Sequence, residues 1–166
     1  MLNRDAARLM IEYHQSRNQK LWDAIEALGD ASFGIDAAYS LGNIRNHMVH
    51  LGLVDGAWLN GLHGNPRESF VWPDFAQYAA LYPTIASAKA FHDDISAQLR
   101  ASVDAWSDAD LLVVPAGMNE QRWQVLMHLM THGVDHRAQV LRLIHDCGGK
   151  TFPQDLIIYL RENAKK

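Results

Sequence analysis

Four long stretches of this chain repeat their apolar residues at intervals of three and four, and none sustains the every-second-residue alternation of a half-buried strand. That period places the apolar residues on one stripe of an α-helix, so the sequence predicts an all-α fold. The first stretch, about Asn3 to Leu28, spaces Leu9, Tyr13, Leu21, Ala24 and Leu28 on one side and stops at Gly29-Asp30. The second begins near Ser40 as an N-cap and runs through Ile44, Met48, Leu51 and Trp58 to Leu62, before the breaker run His63-Gly64-Asn65-Pro66. Thr84, just after Pro83, caps the third, which carries Ala88, Phe91, Ile95, Leu99 and Val103 to Trp106. The fourth, about Glu120 to Cys147, presents Leu126, Leu129, Met130, Gly133, Val140 and Ile144 and stops at Gly148-Gly149. Four such helices bury their stripes most simply as a four-helix bundle, with a short C-terminal helix near Pro153 to Glu162.

Composition narrows the class. At 166 residues, 48% hydrophobic and 20% charged, the chain reads as one globular domain over 1–166. No apolar run approaches the roughly 20 residues that span a bilayer, and a net charge of -4 without a Lys/Arg cluster argues against nucleic acid as a partner. The lone Cys147 forms no internal disulfide, and the opening Met-Leu-Asn-Arg-Asp lacks a signal-peptide layout, so the expected setting is cytoplasmic. Cys147 itself falls on the apolar side of the fourth helix and reads as a small core residue. Between the second and third helices, Phe70 to Pro83 is an aromatic loop in which Trp72, Phe75 and Tyr78 cover the bundle or wall a pocket, and Leu111 to Met118 has the makings of a short strand or hairpin arm.

Nine histidines are the chemical anomaly. His128, His132 and His136 recur every fourth residue on one helix; neighbours can share a metal ion, but the outer pair is separated by a rise of about 12 Å. At about 100° per residue, His132 and His136 fall on the flank of the apolar stripe and His128 among the polar residues, which makes His132 and His136 the candidate pair. On the second helix His47 falls inside the stripe and His50 on its flank, and either can meet that pair. Three neutral imidazoles with a coordination position left open describe a catalytic metal site, whereas a fourth ligand, His47 or His128, would describe a structural one. The run His132-Gly-Val-Asp-His136 lacks the Glu of the zinc-protease signature.

Three other residues interrupt the stripes. Gly133 costs about 1 kcal/mol against Ala in a helix unless something must approach it closely. Asp55 and Arg137 both fall inside the apolar faces, where charges need partners, and the expectation is that they face each other across the bundle. Arg137 and Arg45 are also candidates for binding a substrate carboxylate. The remaining histidines, His14, His63, His92 and His145, read as surface or loop residues.

The core His132-Gly-Val-Asp-His136-Arg137-Ala-Gln139, with Val125-Leu-Met-His128-Leu129 before it and Asp155-Leu-Ile-Ile-Tyr159-Leu160-Arg161-Glu162 after it, resembles the C-terminal signature of the DinB/YfiT-like superfamily. His50 with Asp55 and Trp58, Tyr13 with Asn18, and Trp106-Ser-Asp-Ala-Asp-Leu111 resemble other parts of the same pattern, so the resemblance spans the chain. It implies a bundle of up-down-down-up topology, a divalent metal, zinc or nickel, held by His50, His132 and His136, and a homodimer. It also implies a metal-dependent enzyme, a transferase using a low-molecular-weight thiol such as bacillithiol or mycothiol, or a hydrolase; the alternative is a non-catalytic, stress-response bundle with a structural metal. Asp55, Arg137 and Gln139 are then expected to support the site, with His47, Trp72 and Tyr159 beside its pocket and a general base from His47, Tyr159 or a loop.

Overall fold

The computed structural model describes residues 3–164, and its long helices are the four stretches marked by the periodicity. The first, α1 (Arg4–Leu28), starts where the Asn3 side chain accepts from the Ala6 N–H at 2.9 Å and ends on Gly29 at φ 79°. One turn, α2 (Asp30–Phe33), follows. Helix α3 (Ile44–Leu62) begins later than expected: Asn43, not Ser40, is the cap, accepting from the Asn46 N–H at 2.9 Å. Ser40 and Gly42 take left-handed conformations, with φ 48° and 90°, which no helix turn accommodates.

After α4 (Tyr78–Leu81), Thr84 caps α5 (Ile85–Ala105) with the expected geometry. A turn, α6 (Asp108–Leu111), is capped by Ser107. The stretch Leu111 to Met118 forms no strand: Leu111 closes α6, the Met118 N–H bonds the Pro115 carbonyl, and Gly117 turns at φ 77°. Proline removes a ladder donor there and the turn removes the extension. Helix α7 (Arg122–Asp146) and the short α8 (Leu156–Asn163), whose N-cap is Asp155 and which starts later than Pro153, complete the order. Among the described residues, no helix is long and apolar enough to cross a membrane.

Each long helix packs on two others, α1 and α3 both lying against α5 and α7. Direction follows from the pairs that meet. Arg100 reaches Glu12 and His92 reaches Asn18, so α5 runs against α1. Gly52 faces Phe91 and Gly56 faces Ile95, so α3 and α5 are parallel. His47 meets His136 and Trp58 meets His128, so α7 runs against α3. The topology is therefore up-down-down-up.

The core is divided. One apolar cluster gathers Leu21, Trp22, Ile25, Met48, Leu51, Val140 and Ile144; another gathers Ala7, Ile11, Leu59, Leu62, Leu99, Val103, Leu126 and Leu129. Between them lies a belt of buried polar residues: His14, Asn18, Asp55, His92 and Arg137. Gly133 serves that belt. A Cβ there would stand 2.5 Å from His14 Cε1 and 2.9 Å from Arg137 Nη1, so the glycine is the gap through which α1 inserts its imidazole. Gly133→Ala is expected to destabilise the protein by about 1–3 kcal/mol in urea unfolding through overpacking, against the gain of about 1 kcal/mol that Ala gives a helix; a stabilised variant would contradict the contact.

Candidate metal centre

Because α3 and α7 run antiparallel, their histidines meet as rungs. His47 and His136 ring centroids lie 5.6 Å apart, His50 and His132 5.4 Å, and His50 and His136 4.8 Å. One ring nitrogen from each of His50, His132 and His136 lies within 4.8 Å of the others, close enough to share one ion. This set combines the two α7 flank residues with His50, one of the two α3 candidates that the helical angle left open.

The donor chemistry fits a metal ion. Burial, reinforced by the neighbouring imidazoles, lowers His50 and His132 to about 4, and burial also lowers His136. The rings are therefore neutral at pH 7 and offer free lone pairs without proton competition.

His47 is buried completely at the inner end of the row. Its Nε2 accepts the Leu41 N–H at 3.3 Å, and its Nδ1 stands 3.3 Å from His136 Nδ1. A neutral ring that accepts at Nε2 carries its hydrogen on Nδ1, so His47 has no lone pair to spare. At the outer end, exposed His128 lies 5.6 Å from His132 and edge-on to Trp58 at 5.0 Å. Trp72 reaches in from the aromatic loop and meets His50 edge-on at 5.9 Å, while Tyr78 of the same loop is buried in the core. The loop thus covers the bundle through Tyr78 and touches one of the histidines through Trp72.

The supporting residues are arranged differently from expectation. Asp55 and Arg137 are both buried, yet His14 stands between them. Arg137 Nη1 donates to His14 Nδ1 at 3.2 Å and to Asn18 Oδ1 at 2.9 Å, and His14 Nε2 lies 3.1 Å from Asp55 Oδ2. Since a guanidinium only donates, His14 accepts at Nδ1 and donates from Nε2 to the carboxylate. Asn18 Nδ2, also 3.1 Å from His14 Nε2, is a second donor there, and its hydrogen serves His92 Nε2 at 3.4 Å. The direct Asp55–Arg137 contact is replaced by a bridged one because the glycine gap admits a third side chain.

Further corrections concern burial. His14 and His92 are 1% and 2% exposed, not surface residues. Arg137, fully enclosed, is out of reach of a substrate carboxylate. Cys147 is exposed, because it caps α7 just past the last packed turn. Tyr159 packs on Tyr13 at 5.6 Å, in a cluster with Met130, rather than against the histidine rings. Gln139 accepts from Ser40 Oγ at 2.6 Å and donates to Asp135, so it ties the α2–α3 loop to α7.

The sequence pattern of the DinB family matches residues 1–165. With the bundle and the three-histidine cluster in place, the chain belongs to the DinB family. None of the curated proteins matches it.

His47, His50, His92 and His132 all sit near 4 when folded, against an ordinary 6.5. As pH falls through about 6.5 the unfolded chain takes up protons that the folded chain refuses, so stability is full above that pH and lost as it drops toward 4. In metal-free protein, the melting temperature is expected to fall between about pH 6.5 and 5, before ordinary carboxylates titrate. A flat profile over that interval would contradict the buried neutral rings.

Proposed function

We propose that this protein is a metal-dependent enzyme whose ion, zinc or nickel, is held by His50, His132 and His136. The observation that carries the reading is the convergence of their three ring nitrogens within 4.8 Å. An ion bound there would hold a thiol as thiolate at neutral pH or polarise a water for attack on an electrophile. Either chemistry needs an open coordination position. His47 accepts at Nε2 and so carries its hydrogen on Nδ1; it is no fourth ligand, which supports an open site over a closed structural one.

The chain's own residues then divide the work. His50, His132 and His136 orient the reacting group by fixing the ion, and Trp72 screens the His50 side from water. His128, exposed beside His132, is placed to carry a proton to solvent. Tyr159 has no part in the pocket, being packed against Tyr13. A low-molecular-weight thiol of the bacillithiol or mycothiol kind as cosubstrate, a homodimer and a cytoplasmic setting belong to the same proposal, on the strength of family membership.

Elemental analysis of the purified protein tests the metal. Wild type is expected to carry about one zinc or nickel ion per chain and His132→Ala none; equal content in the two would overturn the reading. Thiol-transfer and hydrolysis screens of the loaded protein, with the chelator-treated protein as control, then choose between the two chemistries.

A further inference from the structure

The buried belt and the histidine row touch at one place. Asp55 follows His50 by five residues on α3, between the His50–His132 rung and the Trp58–His128 contact. Helical side chains lean toward the N-terminus of their helix, which tilts the Asp55 carboxylate toward the His50–His132 level. Its Oδ2 is occupied by His14, but its Oδ1 is sealed from solvent and has no partner. On the facing helix His132 Nδ1 is likewise sealed and without a partner. Two polar atoms buried without partners on facing helices are each a cost that a bond between them would remove.

We propose that Asp55 is a positioning residue for the metal ligand His132: its Oδ1 accepts the His132 Nδ1–H, so that Nε2 keeps the lone pair that faces the ion. This rests on the metal reading above. The carboxylate is itself held by His14, whose donation to Oδ2 is dictated by Arg137, so an ordered chain of hydrogen bonds runs from the Arg137 guanidinium through His14 and Asp55 to the ligand. A ligating imidazole whose second nitrogen donates to a carboxylate is fixed in tautomer and orientation and is a more basic ligand. His136 Nδ1 faces His47 Nδ1 instead, at 3.3 Å.

The test measures zinc binding to the full-length chain by competition with a chromophoric chelator, for wild type, His132→Ala and Asp55→Asn, each checked for helical content by circular dichroism. An Asn has one acceptor oxygen in place of two and cannot serve both His14 and His132. Folded Asp55→Asn is expected to bind zinc about 10- to 100-fold more weakly than wild type. Wild-type affinity in Asp55→Asn, with binding abolished in His132→Ala, would overturn the role of Asp55 and leave the metal site standing. Wild type binding no better than His132→Ala would overturn the metal reading itself. A second measurement needs no variant at Asp55: long-range ¹⁵N–¹H correlation on zinc-loaded wild type is expected to show His132 as the Nδ1–H tautomer, and the Nε2–H tautomer would overturn the proposal even if Asp55→Asn fails to fold.

Discussion

An ion pair that never closes directly sets the register of this bundle. Asp55 on α3 and Arg137 on α7 are both shut off from water, and the His14 ring of α1 is threaded between them. Removing one partner from such an arrangement strands a buried charge, which costs several kcal/mol, so the belt tolerates one alignment of the three helices. A slide of one turn along α7, about 5.4 Å, would break it. Apolar packing above and below the belt supplies the bulk of the burial, but leucine and isoleucine stripes can settle in several registers, whereas this polar chain settles in one.

What depends on that alignment is the rung geometry of the histidines. Ligands on two helices converge only if the helices are fixed along their axes to a fraction of a turn, because one residue of slip moves a ring by about 1.5 Å and turns it by about 100°. The belt lies at the same height as His132 and His136, with Gly133 and Arg137 interleaved among them on α7. The device that fixes the register is therefore adjacent to the site that needs it fixed. Burial does the remaining work, since it strips the ligand rings of protons.

Much of this was legible in the chain. Helical period gave the four long elements nearly to their ends, with Asn3 and Thr84 marking their starts. Angle on the helix separated His132 and His136 from His128, and the odd glycine between them pointed to a close approach that the contact with His14 explains. Angle also had more to give. His14 lies seven residues before Leu21, and His92 seven before Leu99, so both fall on core stripes and the same reckoning places them inside. The partner of Asp55 was not legible, because a third side chain entering from another helix leaves no trace in the spacing of the two. Tyr159 and Cys147 were misplaced for a related reason: both lie at or beyond the end of α7, where helical angle no longer tells what covers a residue.

The parallel arrangement of α3 and α5 has a consequence for how this protein can vary. Two successive parallel helices require the chain to travel back along the whole bundle before it can start the second. For the 19 residues of α3 that return is about 28 Å, which at full extension needs about nine residues. Residues 63–84 exceed this minimum, and the surplus is folded into 3₁₀ turns at Arg67–Ser69 and Phe75–Gln77 and into α4. The segment that brings Trp72 to His50 is thus an obligatory crossing with slack in it. Deletions can consume that slack down to a fixed limit without unravelling the topology, and insertions can lengthen it freely, so the wall beside the histidines can be remodelled while the helices that hold them stay in place.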